Sequence, residues 1–327
     1  MGLKEAVNLL EKFRRISLEK FFTKHQQQFS QVGKIFEYYF IKAVKELGYE
    51  IEVNKKYKCK ALIDREYFTI IPDIIVKSYN KEVLIELKAM PKGVYKKPDA
   101  LAIAFDYIHL KNTYPNKPYI VILAYNKYRN EAKQILEYSS DKLFSLQLNN
   151  LSVDIQEKLK QLNEIIQTIN SKPPIRLKIA KHQVNLPPSD QPSPKLDYIK
   201  GRKLEKEIIK IMRKYKLSPI ERKQIKAKLL GTGPYYTIEA NIYIENPKTV
   251  IECKTRKHPI IDAGESKAAA IDAITLKQTL IPHTYILIHN PTTKPNKILA
   301  IYTDKTITTN QINQLIKYLL LKQPTTK

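Results

Sequence analysis

The chain has 327 residues, with 57 Lys and Arg against 32 Asp and Glu and a formal net charge of +25. So basic a balance argues against an enzyme of small neutral metabolites and for a polyanionic partner, nucleic acid above all. The two cysteines, Cys59 and Cys253, are too far apart for a CxxC motif, which excludes a disulfide framework and a CxxC-type zinc site, and no run of about 18 apolar residues marks a membrane span.

The N-terminus, MGLKEAVNLLEKFRR, has the pattern of an amphipathic helix rather than of a signal peptide, so an intracellular, cytoplasmic protein is expected. That helix is predicted over 1–21, and a second from about Ser30, with Phe36, Phe40, Ile41, Val44 and Leu47 on one stripe and Gly48 as its stop. YEIEVNKK reads as a strand. Ile71–Lys88, IPDIIVKSYNKEVLIELK, reads as a β-hairpin turning at SYNK. A basic loop, MPKGVYKKPD, leads into a helix over 98–112, a buried strand at 119–126, a weaker strand at LFSLQL and a helix over 153–169. Residues 171–195 hold six prolines and read as a stiff, extended linker. This sets a first domain at 1–170 and a second at 196–327.

Beyond the linker the same order returns: helix 200–215, strand 222–230, hairpin 236–254, helix 265–279, strands at 284–290 and 298–304, and a terminal helix over 310–322. The repetition holds at the level of residues. Asp73, Glu86 and Lys88 match Glu239, Glu252 and Lys254 at an offset of 166, as Asp106 matches Asp272, while Gly33 and Glu37 match Gly201 and Glu205 at 168. Offsets that change only in loops are what a tandem duplication leaves. The second copy departs from the first at its first acid: Glu239 stands where the first has Asp73 and Ile238 where it has Pro72, and a register with a shorter hairpin would put Asn241 in the acid position instead.

The charged residues of the hairpin carry chemistry. Residues two apart on a strand share a face, so Glu86 and Lys88 point together while Leu87 points to the core, and Asp73 starts the partner strand. Two carboxylates held close suit a hard divalent cation such as Mg²⁺, or Mn²⁺, with the Leu87 carbonyl as a further oxygen ligand. Lys88 is then placed to orient or help deprotonate a water attacking a phosphodiester. A lone Glu-x-Lys at a strand end is ordinarily solvated surface; here Pro72-Asp73 precedes it, apolar runs flank it and the whole is duplicated.

These residues, Pro72-Asp73 followed by Glu86-Leu87-Lys88, resemble the PD-(D/E)xK nuclease superfamily. The resemblance spans about 30–130 and 198–305. It implies an α/β fold of two restriction-endonuclease-like αβββαβ units, each a mixed central sheet flanked by helices. It also implies that Asp73, Glu86 and Lys88, with Glu239, Glu252 and Lys254 in the second unit, carry metal binding and catalysis. Glu37 and Glu205, on the helix before each hairpin, are candidates to complete the metal sites; the other reading of Glu37 is an exposed partner for Lys34. Lys92, Lys96 and Lys97 after the first motif, and Arg256, Lys257 and Lys267 after the second, are candidates for phosphate contacts. The expected activity is metal-dependent endonucleolytic cleavage of double-stranded or branched DNA. Junction resolution, RNA cleavage, and a non-catalytic nucleic-acid-binding module with relic sites stand as alternatives.

Overall fold

The computed structural model describes residue 37 and residues 40–63, 65–78, 81–146, 151–177, 179–189, 191–196, 199, 201–254, 263–291 and 297–323. The predicted helix over 1–21, and most of the one beginning at Ser30, lie outside them. Among the described residues no helix is long and apolar enough to cross a membrane. The chain forms two compact units, residues 1–60 with 67–175, and residues 61–66 with 176–327.

In the first unit five strands form one sheet in the order β1-β4-β5-β6-β7: β1 Glu50–Val53, β4 Ile74–Ser78, β5 Lys81–Tyr95, β6 Tyr119–Tyr128 and β7 Lys142–Leu146. β1, β4 and β5 are antiparallel neighbours, while β5, β6 and β7 run parallel. A two-stranded sheet, β2 Tyr57–Lys60 with β3 Tyr67–Ile70, continues the β1/β4 pairing in the same register beyond a break at residues 54–56 and 71–73. On one face of the sheet Ile74, Val76, Val83, Ile85, Leu87, Ile120 and Ile122 pack against Phe40, Ala43 and Val44 of the helical residues 40–46, and against Leu159, Leu162 and Ile166 of helix Leu151–Thr168. Helix Lys97–Thr113, started by a proline in its first turn, is buried along most of its length. With both faces covered, the parallel strands carry continuous apolar runs, VLI in β5 and YIVILA in β6.

The second unit repeats this sheet, β12-β11-β10-β9-β8, with β8 Ile220–Lys228, β9 Tyr235–Ile244, β10 Thr249–Lys254, β11 Thr284–His289 and β12 Lys305–Thr308. Strand order and directions are those of the first sheet: β8, β9 and β10 antiparallel, β10, β11 and β12 parallel. Here β8 and β9 are continuous where the first unit breaks its hairpin into two. Leu204, Ile208 and Met212 of helix Arg202–Lys214, with Leu315, Ile316 and Leu319 of helix Ile312–Lys322, cover Ile242, Ile251, Ile286 and Ile288.

A buried ion pair recurs in both units. Lys111 Nζ lies 2.7 Å from Asp141 Oδ2, both side chains shielded from solvent, and Asp141 also accepts the Tyr119 N–H at 2.7 Å and the Lys172 N–H at 2.8 Å. Lys277 pairs with Asp304 in the same way, and Asp304 accepts the Tyr285 N–H at 2.7 Å and the His182 N–H at 2.6 Å.

Four expectations change. The basic loop after Lys88 is the end of β5, which runs on to Tyr95 with a register shift between Met90 and Val94. Residues 298–304 were expected as a strand, but Lys297–Tyr302 is a helix and the strand follows at Lys305; a short run such as ILAIY has no period that separates the two. Helix Asn130–Tyr138 was not expected, although Glu131 in its first turn is a start signal that the sequence carries. The proline-rich stretch forms no helix or strand among its described residues, yet from 176 it belongs to the second unit: Val184 is buried in that core, and the carbonyls of Gln191 and Pro192 accept from the Asn313 side chain.

Candidate active site

The antiparallel register between β4 and β5, Ile74 opposite Ile85, brings Asp73 across from Glu86. Asp73 Oδ2 accepts the Leu87 N–H at 2.7 Å, so the backbone of β5 fixes the carboxylate. Glu86 and Lys88 share a face, with Lys88 Nζ 2.5 Å from Glu86 Oε1 and 3.8 Å from Asp73 Oδ2. Leu87, between them, packs into the core. Glu86 is buried, and the Tyr119 hydroxyl of the neighbouring strand donates to its Oε2 at 3.4 Å.

Two acids this close oppose each other's ionisation. The Asp73 carboxyl is pushed up to about 7 by burial and then by the Glu86 charge, with Glu37 adding to the rise while Lys88 and the Leu87 N–H pull against it. Glu37 is therefore near enough to act on Asp73 through its charge. Burial works against charge on Lys88, but Glu86 and Asp73 outweigh it and hold the ammonium above the ordinary lysine range.

The donor set fits a hard divalent cation. It offers two carboxylates and a main-chain carbonyl, with Glu37 on the adjoining helix, which suits an ion that keeps several waters. Among the described residues no three carboxylate, imidazole or thiol side chains are placed together to hold a metal ion. Mutually repelling acids that are partly shielded from water gain from a cation, and Asp73, half-buried beside Glu86, is such an acid.

The second unit keeps part of this geometry. Lys254 Nζ lies 2.8 Å from Glu252 Oε1, Glu252 is buried, and Cys253 packs inward as Leu87 does. The register differs from the one assumed for Glu239. Ile242 lies opposite Ile251, as Ile74 lies opposite Ile85, which places Asn241 across from Glu252, and Asn241 Oδ1 accepts the Cys253 N–H at 2.9 Å. Asn241 therefore stands where the first unit has Asp73. Glu239, two residues earlier, takes hydrogen bonds from Arg222 and, at 2.9 Å, from Gln224. The turn of the second hairpin is two residues shorter, so the offset is 168 before it and 166 after it.

Arg222 is the residue that sequence reasoning missed. At offset 168 it replaces Asn54, and both adopt left-handed backbone, φ 51° and 59°. Asparagine accepts that conformation readily, whereas arginine is strained by it. Its guanidinium bonds to Glu239 and sits 4.0 Å from Glu205 Oε2. Burial lifts the Glu205 carboxyl above its ordinary value, against the pull of Arg222, and the Glu252 charge adds to the rise. Glu205 and Glu252 are thus neighbours, as Glu37 and Asp73 are.

Of the residues expected to meet phosphates, Lys96 is exposed just before helix Lys97–Thr113, Lys97 is half-buried in its first turn, and Lys267 is half-buried in the helix that follows β10. The side chain of Lys92, and Arg256 and Lys257 altogether, lie outside the described residues.

No known family model and no curated protein matches the chain. Among solved structures it is similar to a crystallised protein of unknown function, at 14% identity and a TM-score of 0.27 over 37% of this chain and 61% of that one. It is also similar to the restriction endonuclease PspGI bound to its substrate DNA, at 18% identity and a TM-score of 0.31 over 45% of this chain and 61% of that one. The chain spans less than two thirds of either structure.

Proposed function

We propose that the chain is a metal-dependent DNA endonuclease of the restriction-endonuclease-like fold, whose chemistry belongs to the first unit. The observation that carries this reading is the convergence of Asp73, Glu86 and Lys88 at the meeting of β4 and β5, on a chain with a net charge of +25. Asp73, Glu86 and the Leu87 carbonyl would hold Mg²⁺ or Mn²⁺, with Glu37 reaching in from its helix. The ion supplies stabilisation of the charge that develops on the phosphodiester and a more acidic bound water. Lys88, held by both carboxylates, orients the attacking water and faces the scissile phosphate. Tyr119 fixes the far oxygen of Glu86 and so keeps its other oxygen on the Lys88 side.

In this reading the second unit does not cut. Asn241 offers a neutral ligand where an anion is needed, and Arg222 brings a positive charge to the carboxylates that a metal would occupy. The protein then makes one break per encounter. Supercoiled plasmid incubated with Mg²⁺ should become open circles, with no product in EDTA and none from Asp73→Ala or Lys88→Ala. Cleavage unchanged in both variants, or absent from the wild type on supercoiled, linear and branched DNA alike, would defeat the proposal.

A further inference from the structure

The strands that lead to the two sites also carry a face that this chemistry leaves unused. At an offset of 168, β2 and β3 correspond to the far ends of β8 and β9, with the same cross-strand partners: Lys60 opposite Tyr67 and Lys58 opposite Thr69, Lys228 opposite Tyr235 and Lys226 opposite Thr237. These four outward positions are identical in the two units. The four inward positions between them are Tyr57, Cys59, Phe68 and Ile70 in one unit and Ile225, Ala227, Tyr236 and Ile238 in the other, and only the isoleucine is shared. Packing constrains the inward face, so divergence there with identity outside is the reverse of what the fold alone requires.

The retained face has a definite chemistry. Tyr67 is 45% exposed and Tyr235 56% exposed, uncommon for side chains of that size. The Lys58 ammonium lies 4.8 Å from the Tyr67 ring centre, and those of Lys226 and Lys228 lie 5.5 Å and 5.4 Å from that of Tyr235. Alternate lysines on a strand stand about 7 Å apart on one side. In the second unit this face borders an open groove of about 930 Å³, to which Lys223, Lys248 and His283 also contribute. The surface therefore sets an accessible aromatic face among cations.

We propose that this face, in each unit, binds single-stranded nucleic acid: Tyr67 and Tyr235 stack on unpaired bases, and Lys58, Lys60, Lys226 and Lys228 neutralise the flanking phosphates. Stacking on a protein ring needs a base whose own face is free, which a duplex denies and a single-stranded arm provides. The proposal rests on the nuclease reading for its purpose, selecting DNA with an unpaired arm. The binding itself is independent of cleavage.

The test is fluorescence anisotropy in EDTA with a labelled oligothymidylate and with a duplex of equal length. The proteins are the wild type, Tyr67→Leu/Tyr235→Leu, Tyr67→Phe/Tyr235→Phe, and Lys226→Gln/Lys228→Gln. The leucine variant should bind the single strand at least tenfold more weakly, with duplex affinity within twofold of wild type, and the phenylalanine variant, which keeps the ring, should retain single-strand binding. The glutamine variant should reduce the slope of log affinity against log salt by about 1.4, for two phosphates. Single-strand affinity unchanged in the leucine variant, equal losses on both nucleic acids, or equal losses in the leucine and phenylalanine variants would each overturn the proposal. If the wild type binds as described but cuts nothing, the nuclease reading fails and the binding face stands.

Discussion

Replacing Asp73 by Asn should stabilise the protein while abolishing its activity. The folded carboxyl titrates at about 7 against an ordinary 3.8, for the reasons of burial and the Glu86 charge given above. At 1.36 kcal/mol per unit, about 3 units correspond to about 4 kcal/mol spent on holding Asp73 ionised. Asparagine removes that cost and keeps an oxygen for the Leu87 N–H, as Asn241 does for Cys253. A neutral acceptor in place of a charged one gives back about 1 kcal/mol, which leaves a net gain of about 2–3 kcal/mol. The pH dependence follows from the sign. An acid whose folded value is raised binds more protons folded than unfolded between about 4 and 7, so wild-type stability falls as pH rises through that window. The advantage of the variant should be full at pH 8 and almost gone at pH 4. Calorimetry in EDTA reads this as a rise of about 4–12 °C in Tm at pH 8. A variant no more stable than wild type at pH 8, or an advantage independent of pH, would refute the account of the site as two opposed acids. Mg²⁺ should raise the wild-type Tm and leave that of Asp73→Asn unmoved.

Two further outcomes are expected. Arg222→Asn combined with Asn241→Asp recreates in the second unit the pair found in the first, Asn54 and Asp73, and asparagine suits the left-handed backbone at 222. Calorimetric titration with Mn²⁺ should then count two equivalents against one in the wild type; two in the wild type, or no gain in the variant, would contradict the role given to Arg222. Asp304→Asn strands the Lys277 ammonium in the core and should cost about 3–5 kcal/mol in urea denaturation. Burial already depresses the Lys277 pKa, so this loss should shrink as pH rises and the lysine is released from its charge; a cost below about 1 kcal/mol would show that the pair is dispensable.

The sequence made some of this legible and hid the rest for physical reasons. Glu86 and Lys88 share a face and Leu87 enters the core because strand alternation has a period of two, which needs no tertiary knowledge. The place of Asn241 could not be read with the same ease. A hairpin turn two residues shorter shifts the partner strand, and the register depends on pairing across strands rather than on local pattern. Glu239 was the in-register choice only while both hairpins were taken as equal in length. Arg222 lay on a different strand altogether, and only the pairing of β8 with β9 on either side of it, Glu221 with Ile242 and Lys223 with Ala240, brings it level with Asn241. The Lys and Tyr positions of the outer face were visible as residues, but aligning them needed the offset of 168 that the sheets supply. The proline-rich stretch read as a spacer because its composition is polar. Its one buried valine, Val184, and its backbone bonds to the second unit have no signature in composition.

The carboxylates Asp141 and Asp304 set where each unit can be separated from the rest of the chain. Each clasps a main-chain N–H of the proline-rich stretch, Lys172 in the first unit and His182 in the second. A second unit begun at residue 196 would lose the His182 clasp and the cover that Val184 gives its core, whereas one begun at 176 would keep both. Within the proline-rich stretch the boundary of the second unit therefore falls near 175, and a protease that cuts nearer 190 should leave that unit frayed.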